Sequence, residues 1–161
     1  KARENADIVI VSCHWGIEYD YYPNTFQKNM AKQLADAGAD VIIGTHTHTL
    51  QDVEYIQRAD GKRTLVAYSL GNFVSGMLEE SCQLEGMLSF DIEKKKIKNV
   101  VFTPLVNYYT LTGKRERHGF SVYRLKDYTN KLVEKHGFPN LTISHMKEEV
   151  KQKVKNIKID M

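Results

Sequence analysis

Two short apolar runs separated by an amphipathic segment dominate the first third of the chain. Residues 7–13, DIVIVSC, and residues 39–44, ADVIIG, are almost continuously apolar, which predicts strands buried on both faces of a sheet. Between them, residues 24–37 carry apolar side chains at helical spacing, with Asn24 or Thr25 placed as the amino-terminal cap. Strand, helix and strand in this order predict a right-handed crossover between two parallel strands.

The pattern then changes to antiparallel hairpins followed by helices. Four strands are predicted, at residues 52–57, 63–70, 85–93 and 97–106. Asp60 and Gly61 form a strong turn signal between the first two, and the lysine run at 94–96 is expected to be the solvated tip of the second hairpin. A polar loop, a short strand and two helices complete the prediction, at residues 112–119, 120–125, 126–135 and 144–155.

Composition narrows the class of protein. The 161 residues suit one domain, 42% of them are hydrophobic and 27% charged, and the net charge of +3 is too small to indicate nucleic-acid binding. No apolar run is long enough to span a membrane. The two cysteines, Cys13 and Cys82, are expected to be free thiols. Because Lys1 leads into what resembles the last turn of a helix, the chain is expected to begin within a domain.

Three of the six histidines follow the two apolar runs. His14 ends the first run, and His46 and His48 follow the second, so the crossover would bring all three to the carboxyl edge of one sheet. A His-x-His pair in extended backbone directs both rings to one side, and neutral imidazole is a common metal ligand. The pattern favours a metal site, although each histidine alone is more often structural. The other three are expected to be ordinary surface residues: His118, His136 and His145.

Other polar and aromatic residues have two interpretations each. Glu18, four residues after His14, could orient a histidine or transfer a proton, or it could be a solvated loop carboxylate. Trp15 and Tyr19 could form a wall for a polymer or sugar substrate, or pack beneath a loop. A basic loop could meet an anionic substrate, although a solvated loop is the better interpretation: Lys114, Arg115 and Arg117.

Three motifs together resemble a known family. VIVSCHWGIEY, LADAGADVIIGTHTHTLQDVE and LVAYSLGNFV are similar to consecutive signatures of the CapA family, bacterial poly-gamma-glutamate capsule synthesis proteins whose domain is similar to calcineurin-like metallophosphatases. The resemblance is close from residue 7 to about 74 and weaker to about 123. It implies the later half of a metallophosphatase-like α/β sandwich over residues 1–124, followed by a helical extension over 125–161.

The resemblance implies a dinuclear centre with manganese, iron or zinc. By analogy, His14 and His46 would bind one ion and His48 the other, and Asn72 in LGNF becomes a candidate catalytic residue. The family usually has His-Pro-His where this chain has Thr47 between the histidines. The aspartate and asparagine motifs that supply the other ligands precede these motifs in the family and are missing here.

The implied function is a metal-dependent hydrolase of phosphoester or related bonds in cell-surface polymer synthesis. The alternative is a non-catalytic binding or assembly component that keeps the fold. Expected partners are an anionic polymer or phosphoester substrate and other capsule synthesis proteins, and the expected location of the full-length protein is extracytoplasmic and membrane-associated. The chain alone is expected to be inactive and to self-associate through exposed sheet surfaces.

Overall fold

The computed structural model describes residues 1–113, 115–138 and 140–161, so Lys114 of the basic loop lies outside the described residues. Four helices are described: α1 Ala2–Asn5, α2 Thr25–Asp36, α3 Asn130–His136 and α4 Ile143–Lys153. The strands are β1 Ile10–His14, β2 Val41–Thr45, β3 Val53–Gln57, β4 Arg63–Ala67, β5 Leu84–Glu93, β6 Lys96–Leu111, β7 Arg117–Arg124 and β8 Lys158–Ile159.

The first sheet contains the predicted crossover. Its strand order is β1-β2-β4-β3, with β1 parallel to β2, β2 parallel to β4, and β3 antiparallel to β4. Asn24 begins α2 with a reciprocal capping box, in which its side chain accepts from the Gln27 backbone and Gln27 bonds back to the Asn24 backbone. The mixed parallel and antiparallel architecture confirms the predicted α/β class.

The prediction that both parallel strands are buried on both faces is wrong for β1. Val41 and Ile42 of β2 are fully buried, but Ile10 of β1 is 49% exposed and the residues of β1 alternate between exposed and partly buried. The reason is that only one face of β1 is covered. Val11 and Cys13 pack against the cluster that contains Trp15 and Ile42, whereas Ile10, Ser12 and His14 lie on the exposed face.

The second sheet extends further than the sequence pattern predicts. It has the order β5-β6-β7, with β8 pairing parallel to β6. β6 runs for 16 residues, to Leu111, and β7 begins at Arg117, inside the segment predicted as a loop. A 3-10 turn occupies Leu125–Asp127, and α3 begins only at Asn130. Pairing with a long partner strand supplies the backbone hydrogen bonds that make these polar segments strands.

The carboxyl-terminal segment packs into the main core. Met146, Val150 and Val154 are buried in the same cluster as Phe102 of β6. Residues from both sides of position 124 thus share one core. The predicted boundary between a domain at residues 1–124 and a helical extension at 125–161 stays a prediction. Both cysteines are free thiols, as expected. Within the described ranges, no helix is long and apolar enough to cross a membrane.

His136 is buried, so its prediction as a surface residue is wrong. It is 1% exposed, and its ring packs against Tyr108, Tyr109 and Phe138. The Nδ1 atom lies 2.8 Å from the Tyr128 hydroxyl, and burial lowers the pKa of His136 to about 4. This histidine is therefore a neutral core residue rather than a solvated one.

Candidate functional site

The parallel pairing of β1 and β2 brings the three histidines to one edge of the sheet. His14 is in register with Thr45, the residue before His46. The ring centroids of His14 and His46 are 4.4 Å apart, and those of His46 and His48 are 6.3 Å apart. The structure thus places the three predicted ligand side chains together. Their metal role stays a prediction.

The backbone of the histidine pair is not extended, which corrects one step of the sequence argument. His46 has φ 101° and His48 has φ 64°, both in the left-handed region that side chains other than glycine rarely adopt. Thr47 between them is buried, and its carbonyl accepts from the Tyr19 backbone amide at 2.8 Å. Alternating turns, rather than a pleated strand, therefore bring both rings to the edge, and such strained backbone is common at functional sites.

Asn72 contacts His48 directly. Its Oδ1 lies 2.6 Å from His48 Nδ1, and its Nδ2 donates to the His48 carbonyl at 3.3 Å and to Ser75 Oγ at 3.3 Å. Since Nδ2 is occupied with acceptors, Oδ1 must accept, so His48 Nδ1 carries the proton. The other ring nitrogen, Nε2, is then unprotonated in the neutral ring and available as a ligand or base. Asn72 is thus placed to position His48, and its catalytic role stays a prediction.

Glu18 and Tyr19 lie on the other side of His48. A Glu18 carboxylate oxygen is 3.6 Å from His48 Nε2, and the Glu18 side chain is half exposed. The Tyr19 ring centroid lies 6.1 Å from that of His48, and Tyr19 is 42% exposed. With Nε2 unprotonated, this position suits a carboxyl group that exchanges a proton with Nε2 rather than one that orients the ring by accepting a hydrogen bond from it. Tyr19 is accessible enough to contact a substrate.

Trp15 is placed in the core rather than on the surface of the site. It is 6% exposed, and its indole Nε1 donates to the Tyr68 carbonyl at 2.8 Å. Gly44 permits this approach, because a Cβ at that position would lie 2.0 Å from the Tyr68 carbonyl oxygen and 2.3 Å from Trp15 Nε1. The burial contradicts a substrate wall at Trp15 and favours packing beneath the loop.

A buried polar network, not predicted from the sequence, holds the loop that carries Glu18 and Tyr19. Gln27 of α2 donates to Gln51 at 2.8 Å, and both side chains are fully buried. Gln51 and Thr49 in turn donate to the Asp20 carbonyl, at 2.9 and 2.6 Å. The sequence around Gln27 or Gln51 does not predict that the two side chains meet, because their contact depends on how distant segments of the chain pack.

A buried carboxyl group beneath the Asn72 turn was also missed. Glu85 is fully buried, and neither of its side-chain oxygens has a well-formed hydrogen bond within the described part of the chain. It packs against Gly71, where an added Cβ would lie 3.1 Å from Glu85 Cγ. Burial raises the pKa of Glu85 to about 8, against a smaller opposing effect of the Asn72 and Phe73 backbone amides. The alternating pattern of β5 alone does not show that this position faces inward.

The sheet edge that carries His14, His46 and His48, called the histidine edge below, offers donors that suit a transition metal. The set of metal ligands is incomplete, however. Imidazole nitrogen is a ligand for manganese, iron and zinc, and His14 and His46 are close enough to share an ion. In the part of the chain that the structure describes, however, no group of three or more histidine, cysteine, aspartate or glutamate side chains could hold a metal ion. The residues therefore fit part of a metal site.

Comparison with known proteins gives three matches. A family model described as bacterial capsule synthesis protein PGA_cap matches residues 1–77. The PGA biosynthesis protein CapA of Bacillus subtilis (strain 168) is 36% identical over 105 residues, covering 65% of this chain and 26% of that protein. The capsule biosynthesis protein CapA of Bacillus anthracis is 49% identical over 72 residues, covering 45% of this chain and 16% of that protein. The chain thus spans about a quarter or less of the length of these relatives.

Proposed function

Because the chain belongs to the CapA family of bacterial capsule synthesis proteins, we propose that its histidine edge is part of a metal-dependent hydrolase site. The proposed reaction is cleavage of phosphoester or related bonds in cell-surface polymer biosynthesis. The proposed substrate is an anionic polymer or phosphoester, handled together with other capsule synthesis proteins outside the cytoplasm. The observation that carries the proposal is the convergence of His14, His46 and His48 at one sheet edge.

Each side chain at the edge has a role in this proposal. His14 and His46 would hold one ion between their rings, and His48 would present Nε2 because Asn72 fixes the proton on Nδ1. Glu18, 3.6 Å from that Nε2, would hold or move a proton during hydrolysis. A bound divalent ion would supply Lewis acidity, polarising the scissile group and lowering the pKa of water.

Charge limits what these residues can do without further ligands. Three neutral imidazoles add no negative charge, so two divalent cations held a few ångströms apart would repel each other strongly. Carboxylate ligands normally relieve that repulsion, and no such group completes a metal site among the described residues. We therefore expect the chain alone to bind one ion weakly, at His14 and His46, and to be catalytically silent.

The second candidate function is non-catalytic. A binding or assembly component that keeps the fold without hydrolase chemistry would have the same histidine edge without using it to bind metal. Both candidate functions belong to capsule synthesis. They differ in whether the histidine edge binds metal.

Calorimetric titration with Mn²⁺ and with Zn²⁺ tests the proposal on this chain. We expect one weak site per chain and a loss of affinity of about tenfold or more in His14→Ala and in His46→Ala, since each removes one of two ligands. His145→Ala is the matched control, because that imidazole is exposed on α4 and is not one of the predicted ligands. A parallel assay with bis(4-nitrophenyl) phosphate should show no turnover.

Two results would contradict this account in different ways. Two tight sites with rapid phosphodiester turnover would show that the chain holds a complete catalytic centre. Equal metal binding by the parent chain, His14→Ala and His46→Ala would remove the metal role of the histidine edge and leave the assembly function as the better candidate.

A further inference from the structure

A basic cavity lies at the edge of the first sheet opposite the histidines. It has a volume of about 630 Å³, within the range of small-molecule sites. It is bounded by the segments before β1 and β2, the β3–β4 hairpin and the tip of the β5–β6 hairpin. The lysine run expected to be only a solvated tip thus contributes Lys95 and Lys96 to the wall of a cavity.

Cations outnumber anions in this cavity. Six basic side chains line it: Arg3, Arg58, Lys62, Arg63, Lys95 and Lys96. The lining carboxylates are Asp7 and Asp40, and Asp60 adds a third through its contact with Arg58 at 2.9 Å. Asp40 is shared by Arg3 and Arg58, and Asp7 pairs with Lys95. Three positive charges remain in excess, so the cavity attracts anions.

Arg58 forms the buried part of the cavity wall. Its side chain is 6% exposed, which is unusual for an arginine and demands well-placed acceptors. Its two terminal nitrogens contact Asp60 and Asp40, but its Nε has no acceptor among the described residues. Its buried charge helps to make the cavity wall positive, and the donors that an oxyanion in the cavity can reach are those of the exposed Arg63 and Lys96.

We propose that this cavity binds a small molecule carrying two or more anionic oxygen groups, phosphates or carboxylates. The multiple charges follow from the three excess cations and from the spread of Arg63 and Lys96 across two different hairpins. The Arg63 guanidinium carbon lies 4.7 Å from the centroid of the Tyr55 ring. This contact holds the side chain in place and does not neutralise its charge. The site lies at the opposite sheet edge from the histidines and is independent of their proposed metal role.

Titration with tripolyphosphate and with citrate at low salt tests the site and separates the two kinds of anion. We expect saturable binding of one ligand per chain for at least one probe, weakened as salt is raised. The variant Arg63→Gln/Lys96→Gln should lose affinity about tenfold or more. The control Lys131→Gln/Lys151→Gln, which removes the same charge from exposed positions on α3 and α4, should stay within about twofold of the parent chain.

Mapping by ¹H–¹⁵N chemical shifts locates the bound probe. Shifts confined to residues around Arg58, Arg63 and Lys96 support the proposal. Equal losses in both double variants, shifts at the histidine edge instead, or no saturable binding of either probe would overturn it. If Arg63→Gln unfolds the chain because the Tyr55 contact is lost, Lys95→Gln/Lys96→Gln at the solvated turn makes the same test.

Discussion

Replacing Glu85 by glutamine should change how stability depends on pH. Glu85 is fully buried in β5, and burial raises its pKa from the ordinary 4.5 to about 8. Between these two pH values the unfolded chain releases the proton and the folded chain keeps it. The free energy of unfolding therefore falls as pH rises through this window, and the loss is complete above about pH 8.

The magnitude follows from the size of the pKa change. Each pKa unit is worth about 1.4 kcal/mol, so the change from 4.5 to about 8 corresponds to a total of about 5 kcal/mol. Glu85→Gln keeps the shape of the side chain and cannot ionise. The variant should therefore gain stability relative to the parent chain as pH rises from 5 to 8, by several kcal/mol in all.

Urea unfolding at pH 5, 6, 7 and 8, followed by the fluorescence of the buried Trp15, measures this difference. Titrations elsewhere, such as that of His136, occur in both proteins and cancel. Glu134→Gln is the matched control, because it makes the same chemical change at an exposed position on α3. A pH-dependent gain for Glu85→Gln no larger than for Glu134→Gln would refute the argument, since it would mean that burial does not hold the proton on Glu85.

Three further substitutions test other parts of the account. His136→Phe should gain stability relative to the parent chain as pH falls from 6.5 to about 4, by at most about 3 kcal/mol in urea unfolding, because the histidine of the parent chain gains a proton there only when the chain is unfolded. Gly44→Ala should lower the free energy of unfolding by about 3 kcal/mol or more, since its Cβ would lie 2.0 Å from the Tyr68 carbonyl oxygen. Asn72→Ala should abolish the Nδ1-protonated preference of His48, read from its ring ¹⁵N shifts.

The first two have matched controls, and each of the three has a contradicting result. His118→Phe makes the same substitution at an exposed position, and a gain in His136→Phe no larger than the gain in His118→Phe would contradict the burial argument. Gly113→Ala has open space around its Cβ, so equal effects at Gly44 and Gly113 would remove the steric explanation. Ring shifts of His48 that are the same with and without Asn72 would show that another group sets the tautomer.

Local patterns predicted the parts of the fold that depend on neighbouring residues. The capping signal at Asn24 and the turn at Asp60 and Gly61 specify their own backbone, and both elements formed as predicted. The edge of the sheet that holds His14 and His46 followed from strand polarity alone, because parallel strands end on the same side.

Features that depend on distant packing were not predicted. His136 lies on a short helix whose pattern resembles a surface segment, and only docking against β6 buries it. Glu85 alternates with apolar residues on β5, so its burial beneath Gly71 depends on where the Asn72 turn is placed. The left-handed backbone at His46 has no sequence signal either, since no glycine occupies the position.

Zinc titration followed by the ring ¹⁵N resonances of the histidines tests the central claim, that the histidine edge is a partial metal site. The account predicts that the signals of His14 and His46 move together and saturate with one ion, while those of the exposed His118 and His145 stay unchanged. Shifts of His118 and His145 with no change at His14 and His46 would contradict it.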